Sequence, residues 1–469
     1  MSYQEPKSKD YGVNSCEDCL AKQQIIDRQF EEIKRLKQKL QVNQRKSTNG
    51  FFGLSTPSSQ IPVKANSLAE NQAKKGGAQI GHVGVGRQIF SQTAADETRI
   101  AEVLVETCET CECRLNRLSS NERGIYELER EQVRKIYYEL ERKICPQCRT
   151  IVSGRVGNAL ARVALSNELV VEVAEQHYVL GRTLGQIAER FSINYSTLAD
   201  SLKRIGKLLE PSLERLKTDY RQSLVRHADE TGWRTDGGNG YSWYFGSENV
   251  SLHLFRETRS ASVVREVLGT VELGGVLVVD RYSGYNRVPC EIQYCYAHLL
   301  REMKDLEQEF ENNGEIKNYT CQMKLHLTDA MQLRKRGLSE AEYQTEAATI
   351  KSKILELGDR QASHPAIRKW QDFFVEKAAR LYQWATTAQI PAENNYAERE
   401  IRKIVIARKM SYGSQSTQGA KTRETWTSIL QTLKKREENP RDKLVQALNK
   451  LSQTKDLDIT AELFGSPQP

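Results

Sequence analysis

Three carboxylates, two at strands and one at a helix start, are candidates for chemistry as a set. Asp229 lies in Arg226-His-Ala-Asp-Glu-Thr-Gly-Trp233, at the centre of a β-rich run, and Asp280 ends the apolar run Gly275-Val-Leu-Val-Val-Asp280. An ionised carboxylate at the end of a buried strand is costly without a partner, and strand ends in α/β sheets are where sites form. Glu398 opens a late helical stretch, Asn394-Asn-Tyr-Ala-Glu-Arg-Glu-Ile-Arg402. Two strand aspartates and one helix glutamate could hold two Mg2+ (or Mn2+) ions about 4 Å apart, clamping the attacking and leaving oxygens of a phosphodiester. Each acid has rivals. Glu230 points to the opposite strand face from Asp229, and Asp236 sits in a glycine-rich turn. Glu393 precedes the helix, and Glu400 lies about 200° round it from Glu398. Taken singly, each acid reads better as a cap or a surface group.

A second set of residues suits a softer metal. Cys108-Glu-Thr-Cys111 and Cys145-Pro-Gln-Cys148 are two CxxC pairs among ten cysteines. Each pair offers two corners of a tetrahedron from one tight turn, so Cys108, Cys111, Cys145 and Cys148 together form a candidate Zn2+ site. Cys113 is spare, because Cys111-Glu-Cys113 is a poor chelating spacing. The intervening GIYELEREQVRKIYYELERKI reads as hairpin and helix material. Unligated buried cysteines are the plainer reading. Cys16 and Cys19 form a lone pair, either incidental or half of a site shared in a dimer.

These groups need elements to hold them. Arg182 to Ile205 reads as two short helices. Thr183 caps the first, Phe191-Ser-Ile193 turns, and a second helix runs from Tyr195 with Leu198 and Leu202 inward. That leaves Asn194, Ser196, Thr197 and Ser201 outward, short polar groups suited to base edges or phosphates. The pattern fits a helix-turn-helix, with a plain helical hairpin as the alternative. From Ser223 the runs LVRHADETGW, YSWYFGSE and VSLHLFRE read as antiparallel strands. A helix (ASVVREVLG) and two further strands (GVLVVD, IQYCYAH) follow, which suggests an α+β or α/β core. Residues 299–390 are helical, and Gly413-Ser-Gln-Ser with Gly419 reads as a flexible loop after the third acid. Near the N-terminus, Ile26, Phe30, Ile33 and Leu40 make either an exposed helix or a small dimerisation zipper. Residues 43–95 have linker composition.

Composition sets the class. At 469 residues, the chain has room for about three domains. A mean hydropathy of −0.62 and 38% hydrophobic residues describe a polar globular protein. No apolar run approaches the ~18 residues of a membrane helix, and MSYQEPKSKDYG lacks a secretory apolar core. A cytoplasmic chain with no membrane partner is expected. The net charge of +8 weakly favours a polyanionic partner.

HADETGWR, VLVVDRYSGYN, YCYAHLLREM and NNYAEREIRKIVIARK, in that order, resemble the transposases of the insertion-sequence-66 family. The N-terminal FFGLSTPSSQIPVK and the stretch CETCECRL…CPQC resemble that family's N-terminal half. The likeness runs from about residue 50 to 450. It implies a multidomain DDE transposase with a ribonuclease-H-like core of mixed α+β and α/β character. Asp229, Asp280 and Glu398 match the family's three acids, acting with Mg2+ or Mn2+. Cys295-Tyr-Ala-His298 matches a Cys-x-x-His signature that would order the core near the site, or less simply hold a structural zinc. Residues 299–390 match a helical insertion before the third acid. The sequence departs from the family at Glu112 and Arg149, where glycine usually follows the knuckle thiolates.

The organisation implied is a tail and short coiled-coil-like helix (1–45), a polar linker (46–99), a zinc-binding region (100–152) and a helix-turn-helix-like region (153–220). The core follows in two parts (221–298 and 391–440) around the insertion (299–390), and a tail (441–469) ends the chain. Glu398 to Glu438 carries ten Lys/Arg against five Asp/Glu. Arg399, Arg402, Lys403, Arg408 and Lys409 could grip phosphates there, with a solvated basic helix as the plainer reading. The expected partner is DNA, both element ends and target. A homo-oligomer of at least two chains is expected on that DNA, nucleoid-associated, with accessory proteins of the same element possible. The competing reading is a DNA-binding regulator on an inactivated core.

Overall fold

A computed structural model of the chain describes residues 90–129, 132–454 and 456–465, together with Gln29 and Glu32. Met1–Thr56 forms a unit of its own, in which Gln29 and Glu32 are helical and exposed. The rest of the expected zipper, the Cys16/Cys19 pair and most of the 43–95 stretch lie outside the described residues.

The first described region is a small sheet. Strands β1 (Glu97–Ala101), β2 (Asn116–Glu129), β3 (Gln132–Ile144) and β4 (Ile151–Ser153) are arranged so that β2 pairs antiparallel with β3 and β1 runs parallel to it. The segment expected to contain helix is therefore strand at every described residue. Its aromatic and β-branched residues, Tyr126, Val133, Ile136, Tyr137 and Tyr138, suit a pleated ribbon, and Ile125 opposes Ile136 with both side chains fully buried. The boundary expected at 99/100 falls inside β1.

Four helices follow: α1 (Asn167–Ala174, extended by a π-turn to Val179), α2 (Leu184–Phe191), α3 (Tyr195–Leu209) and α4 (Ser212–Gln222). Thr183 and Gln186 form a reciprocal capping box on α2. The turn to α3 passes through Ser192 at φ 52°. Leu198 and Leu202 are buried as expected, whereas Ser201 faces inward, its hydroxyl bonded to the Thr197 carbonyl at 2.7 Å.

The central sheet has the order β7-β6-β5-β8-β9. Strands β5 (Val225–Thr235), β6 (Gly238–Gly246) and β7 (Ser251–Arg256) form an antiparallel meander. After α5 (Ala261–Leu268), β8 (Val276–Val279) and β9 (Glu291–Tyr294) add in parallel on the other side of β5. Strand β8 reads Val-Leu-Val-Val and is wholly buried, as a parallel strand covered on both faces must be. Strand β9 is shorter than IQYCYAH suggested, because Tyr296 already begins the next helix.

The insertion comprises α6 (Tyr296–Glu309), α7 (Gly314–Leu333), α8 (Glu340–Asp359), α9 (Pro365–Glu376) and the short α10 (Ala378–Leu381). It leaves and re-enters the core at one point. The Tyr296 N–H donates to the Ala392 carbonyl at 2.8 Å, and the Asn394 N–H donates to Cys295 Sγ at 3.1 Å.

Helix α11 (Asn395–Ser411) carries Glu398, and α12 (Thr417–Arg436) covers the β7 edge. Glu424, Ser428 and Thr432 of α12 accept the N–H groups of Phe255, His253 and Ser251 at 3.1, 2.9 and 3.0 Å. The spacing works because four helical residues rise about 6 Å, close to the advance of two strand residues. The β7 edge, otherwise open to foreign strands, is thereby closed by side chains. The loop 412–416 is pinned rather than flexible: Ser414 exchanges backbone bonds with Arg234 and Asp236 at 2.9 Å each. The expected C-terminal tail instead contains α13 (Pro440–Gln453) and α14 (Ile459–Phe464). Their Leu444, Leu448 and Leu463 are buried, and Asn449 bonds Asn167 of α1 at 2.9 Å.

Candidate active site

The β5–β8 ladder pairs Val225 with Val276 and His227 with Val278. Extending that register by two residues brings Asp229 level with Asp280, just beyond the last paired residues. Asp280 is 6% exposed, while Asp229 is half-buried. Each carboxylate accepts one nearby backbone N–H: Glu230 to Asp229 and Tyr282 to Asp280, both at 2.9 Å.

Burial, then the negative charges of Glu230, Asp280 and Glu398, hold the Asp229 carboxyl well above the ordinary carboxylate range. Asp280 is pushed up to about 6 by burial and Glu230, against the lowering influence of the Tyr282 N–H, His298 and Arg259. Two acids that resist ionisation side by side form an all-oxygen donor pair short of positive charge. That is an environment a hard divalent cation fits.

Asn394 delivers the third acid. It is 2% exposed; its side-chain amide donates to the Ala228 carbonyl at 2.8 Å, and its side-chain oxygen lies 2.8 Å from His227 Nδ1. Burial lowers His227 to about 4, so the ring is neutral, and because it faces an amide oxygen its Nδ1 is the nitrogen that carries the proton and donates. Asn394 thus ties the start of α11 to the residues flanking Asp229, and Cys295 receives its backbone N–H. Cys295, which the family resemblance would have order the core beside the acids, accepts that N–H at 3.1 Å.

Glu398 itself turns toward α6. Arg301 Nη2 donates to both of its carboxylate oxygens, at 3.1 and 3.0 Å, and His298 Nδ1 lies 3.9 Å away. Among the described residues, the groups whose ligand atoms all come within 4.8 Å of one another are the four knuckle cysteines and Cys295–His298–Glu398; the three acids do not form such a group. A metal in the Cys295 group would compete with Arg301, whose Nη1 also points at His298 Nε2 at 3.3 Å. As it stands, an arginine fills that place.

Two of the rival acids, Glu230 and Glu400, are bonded to other side chains. Glu230 bonds Arg259 Nε at 2.8 Å and the Tyr285 hydroxyl at 2.5 Å, on the opposite face of β5. Arg259 in turn stacks on the Tyr282 ring, 3.8 Å from its centroid. Glu400 pairs with Lys403 at 2.7 Å.

The sequence matches the Transposase IS66 family over residues 158–422, a span that takes in all three acids and the whole insertion. The chain belongs to the IS66 transposase family. It is 26% identical over 228 residues to y4qI and 22% identical over 318 residues to y4jD, two proteins of Sinorhizobium fredii described as uncharacterized. Those matches cover 44% and 59% of this chain, and 41% and 60% of the relatives. The chain spans about half the length of the curated relatives it matches.

The cysteine knuckles lie N-terminal to the IS66 match. Cys108 and Cys148 sulfurs are 3.3 Å apart, as are those of Cys111 and Cys145, and all four lie within 4.8 Å of one another. A tetrahedral zinc with bonds of about 2.3 Å sets sulfurs about 3.8 Å apart, so the four could hold one. Backbone N–H groups of the two turns lower the Cys108 and Cys145 thiols. Cys113 stands outside the four, bonded to Gln147 at 2.5 Å. Glu112 (φ 58°) and Arg149 (φ 62°) adopt the left-handed conformation that glycine takes most easily. The two departures from the family pattern are therefore absorbed as backbone strain, with the knuckle shape kept.

Residues expected to meet DNA divide in two. Arg399, Arg402 and Lys409 are exposed on α11 of this IS66 chain. Lys403 is exposed but paired with Glu400. Arg408 is not available: its guanidinium bonds the Gly232 carbonyl and the Thr231 hydroxyl of β5. Asn194 and Ser196 are exposed and Thr197 half-exposed, although the Asn194 side-chain oxygen caps α3 through the Ser196 N–H at 3.0 Å. Sequence reasoning missed Arg301, Asn394 and the Glu230–Arg259–Tyr285 set. Arg301 was within reach, since it lies one helical turn after His298 on the same face.

Proposed function

We propose that this chain is a DDE transposase that cuts phosphodiesters at the ends of a mobile DNA element and joins the freed 3′-hydroxyls to target DNA. The observation that carries the reading is the level placement of two hard-to-ionise aspartates, Asp229 and Asp280, with the Glu398 helix tied beside them by Asn394. Membership of the IS66 family supports it. The sheet, an antiparallel meander extended by two parallel strands, supports a ribonuclease-H-like core.

Asp229, Asp280 and Glu398 would hold two Mg2+ ions, with Mn2+ able to substitute. Bound there, the metals supply activation of the attacking oxygen and neutralise charge on the phosphoryl group. The chain's own contribution is position. Strands β5 and β8 fix two carboxylates at one level, and α11 offers Arg399, Arg402 and Lys409 to the phosphates of the strand being cut. Water, then a 3′-hydroxyl, attacks phosphorus in line, with no covalent protein intermediate.

Around this centre, α2 and α3 act as a helix-turn-helix whose Asn194, Ser196 and Thr197 meet DNA. The capping box, the left-handed turn at Ser192 and the buried Leu198–Leu202 stripe support it. Cys108, Cys111, Cys145 and Cys148 hold a structural Zn2+ on the preceding ribbon. The working form is at least a dimer on nucleoid DNA, with accessory proteins of the element possible. The scheme keeps the order of regions expected from the sequence, with each limit moved off the strand or helix it would cut and with 441–464 added to the folded body.

Asp280→Asn tests the mechanism. It should abolish Mg2+-dependent nicking of element-end DNA while leaving DNA binding within about twofold of wild type. Wild-type nicking by that variant would defeat the assignment. A wild-type chain that binds ends yet cuts nothing with Mg2+ or Mn2+ would return the DNA-binding regulator.

A further inference from the structure

Arg301 feels the charge of both Glu398 and Asp229 and is bonded to the first. Its guanidinium bonds both oxygens of Glu398 through Nη2 and faces His298 Nε2 through Nη1. It is a half-buried residue of α6, whose N-cap is Cys295 and whose first turn carries His298. Glu398 therefore has a cation before any metal arrives, whereas the surroundings of Asp229 are dominated by other acids.

A two-oxygen grip of this kind uses the faces of the carboxylate that a metal needs. A metal at Glu398 must displace at least part of it. The released guanidinium stays tethered one side chain from the acid. That is where the scissile phosphate has to lie if Glu398 holds a metal. Its planar fork then matches two phosphate oxygens as it had matched two carboxylate oxygens.

We propose that Arg301 is a positioning residue with two stations: it occupies both oxygens of Glu398 in the metal-free chain, and it passes to a phosphate oxygen of the bound DNA once Glu398 takes up a metal. The inference rests on the reading of Asp229, Asp280 and Glu398 as the metal-holding acids.

The test measures Mn2+ binding by electron paramagnetic resonance on the full chain without DNA, its thiolate site filled with zinc. Arg301→Gln should bind Mn2+ roughly tenfold more tightly than wild type, because the competitor is gone. The same variant at saturating Mn2+ should nick DNA at least about tenfold more slowly, because the phosphate contact is gone. Arg301→Lys, which keeps the charge without the fork, should fall between on both scales. Tighter metal binding together with slower cutting is a split that loss of fold cannot produce, and circular dichroism verifies the fold of each variant.

Unchanged or weaker Mn2+ binding by folded Arg301→Gln overturns the proposal. So does wild-type nicking by Arg301→Gln at saturating Mn2+. Asp280→Asn separates the two levels. If it binds Mn2+ as the wild type does, the acids are not the metal site and both readings fall. If it loses Mn2+ while Arg301→Gln matches wild type, the inference on Arg301 alone falls.

Discussion

The side-chain amide of Asn394 donates to the carbonyl of Ala228 at 2.8 Å, across 166 residues of sequence. With His227 and Cys295 it completes three buried hydrogen bonds that bring the start of α11 against the strand bearing Asp229. Asn394→Ala leaves the Ala228 carbonyl and the His227 Nδ1–H buried and unmatched. A loss of about 2–4 kcal/mol is expected, read as a lower urea midpoint with an unchanged slope. Nicking should fall even where the variant remains folded, because Glu398 loses its anchor.

Stability should move the other way at the acids. A carboxyl held above its unfolded value binds protons in the folded chain that the unfolded chain has released. Metal-free stability therefore falls as pH rises from about 4, the unfolded value, through about 6, the folded value of Asp280. Asp229 extends the fall upward. Asp280→Asn removes its share, up to about 3 kcal/mol. In magnesium-free buffer at pH 8, it should unfold at higher denaturant than wild type, and the difference should vanish near pH 4. An equal midpoint at both pH values would contradict the strain described.

The two arginines on α11 should separate cleanly. Arg402→Ala should leave the melting temperature unchanged and reduce the salt slope of DNA binding by about 1, the signature of one lost phosphate contact. Arg408→Ala should leave the salt slope alone and destabilise the chain by about 1–3 kcal/mol, since it strips bonds from β5. Fluorescence anisotropy across a salt series, with thermal melts alongside, reads both.

The knuckle turns carry their own prediction. Arg149→Gly relieves a left-handed residue at φ 62° and should stabilise the zinc-loaded ribbon by about 0.5–1 kcal/mol net of glycine's chain entropy. A chelator competition should then need more chelator to empty the site. Cys111→Ser should do the reverse and release zinc at low chelator.

Much of this arrangement was legible in the chain because it is written in local pattern. The four buried valines and leucines of β8 announce a covered strand, and Thr183 announces a helix start. The CxxC pairs announce their own geometry. What escaped was non-local. Glu398 was visible, but nothing near it in sequence says that Arg301 grips it. Arg408 reads as one more basic residue on a basic helix until β5 is placed beside it. The polar run Thr425-Trp-Thr-Ser-Ile-Leu-Gln-Thr432 looks too hydrophilic for burial, and is buried because its hydroxyls serve a strand edge. The β2–β3 ribbon misled for the opposite reason. Its charged residues mimic a helical surface, and burial does not alternate along either strand, so no period of two marks them.

Helices α13 and α14 seat Leu444, Leu448 and Leu463 against segments that precede them by more than 200 residues. During synthesis, α1 to α4 leave the ribosome without their cover. The insertion, the Glu398 helix and the β7-covering helix all have to be made before that cover exists. Contacts of such long range form late and slowly. The four helices therefore pass a stretch of synthesis with their apolar seats open to water, after Glu398 has been made and before Leu444 and Leu463 have.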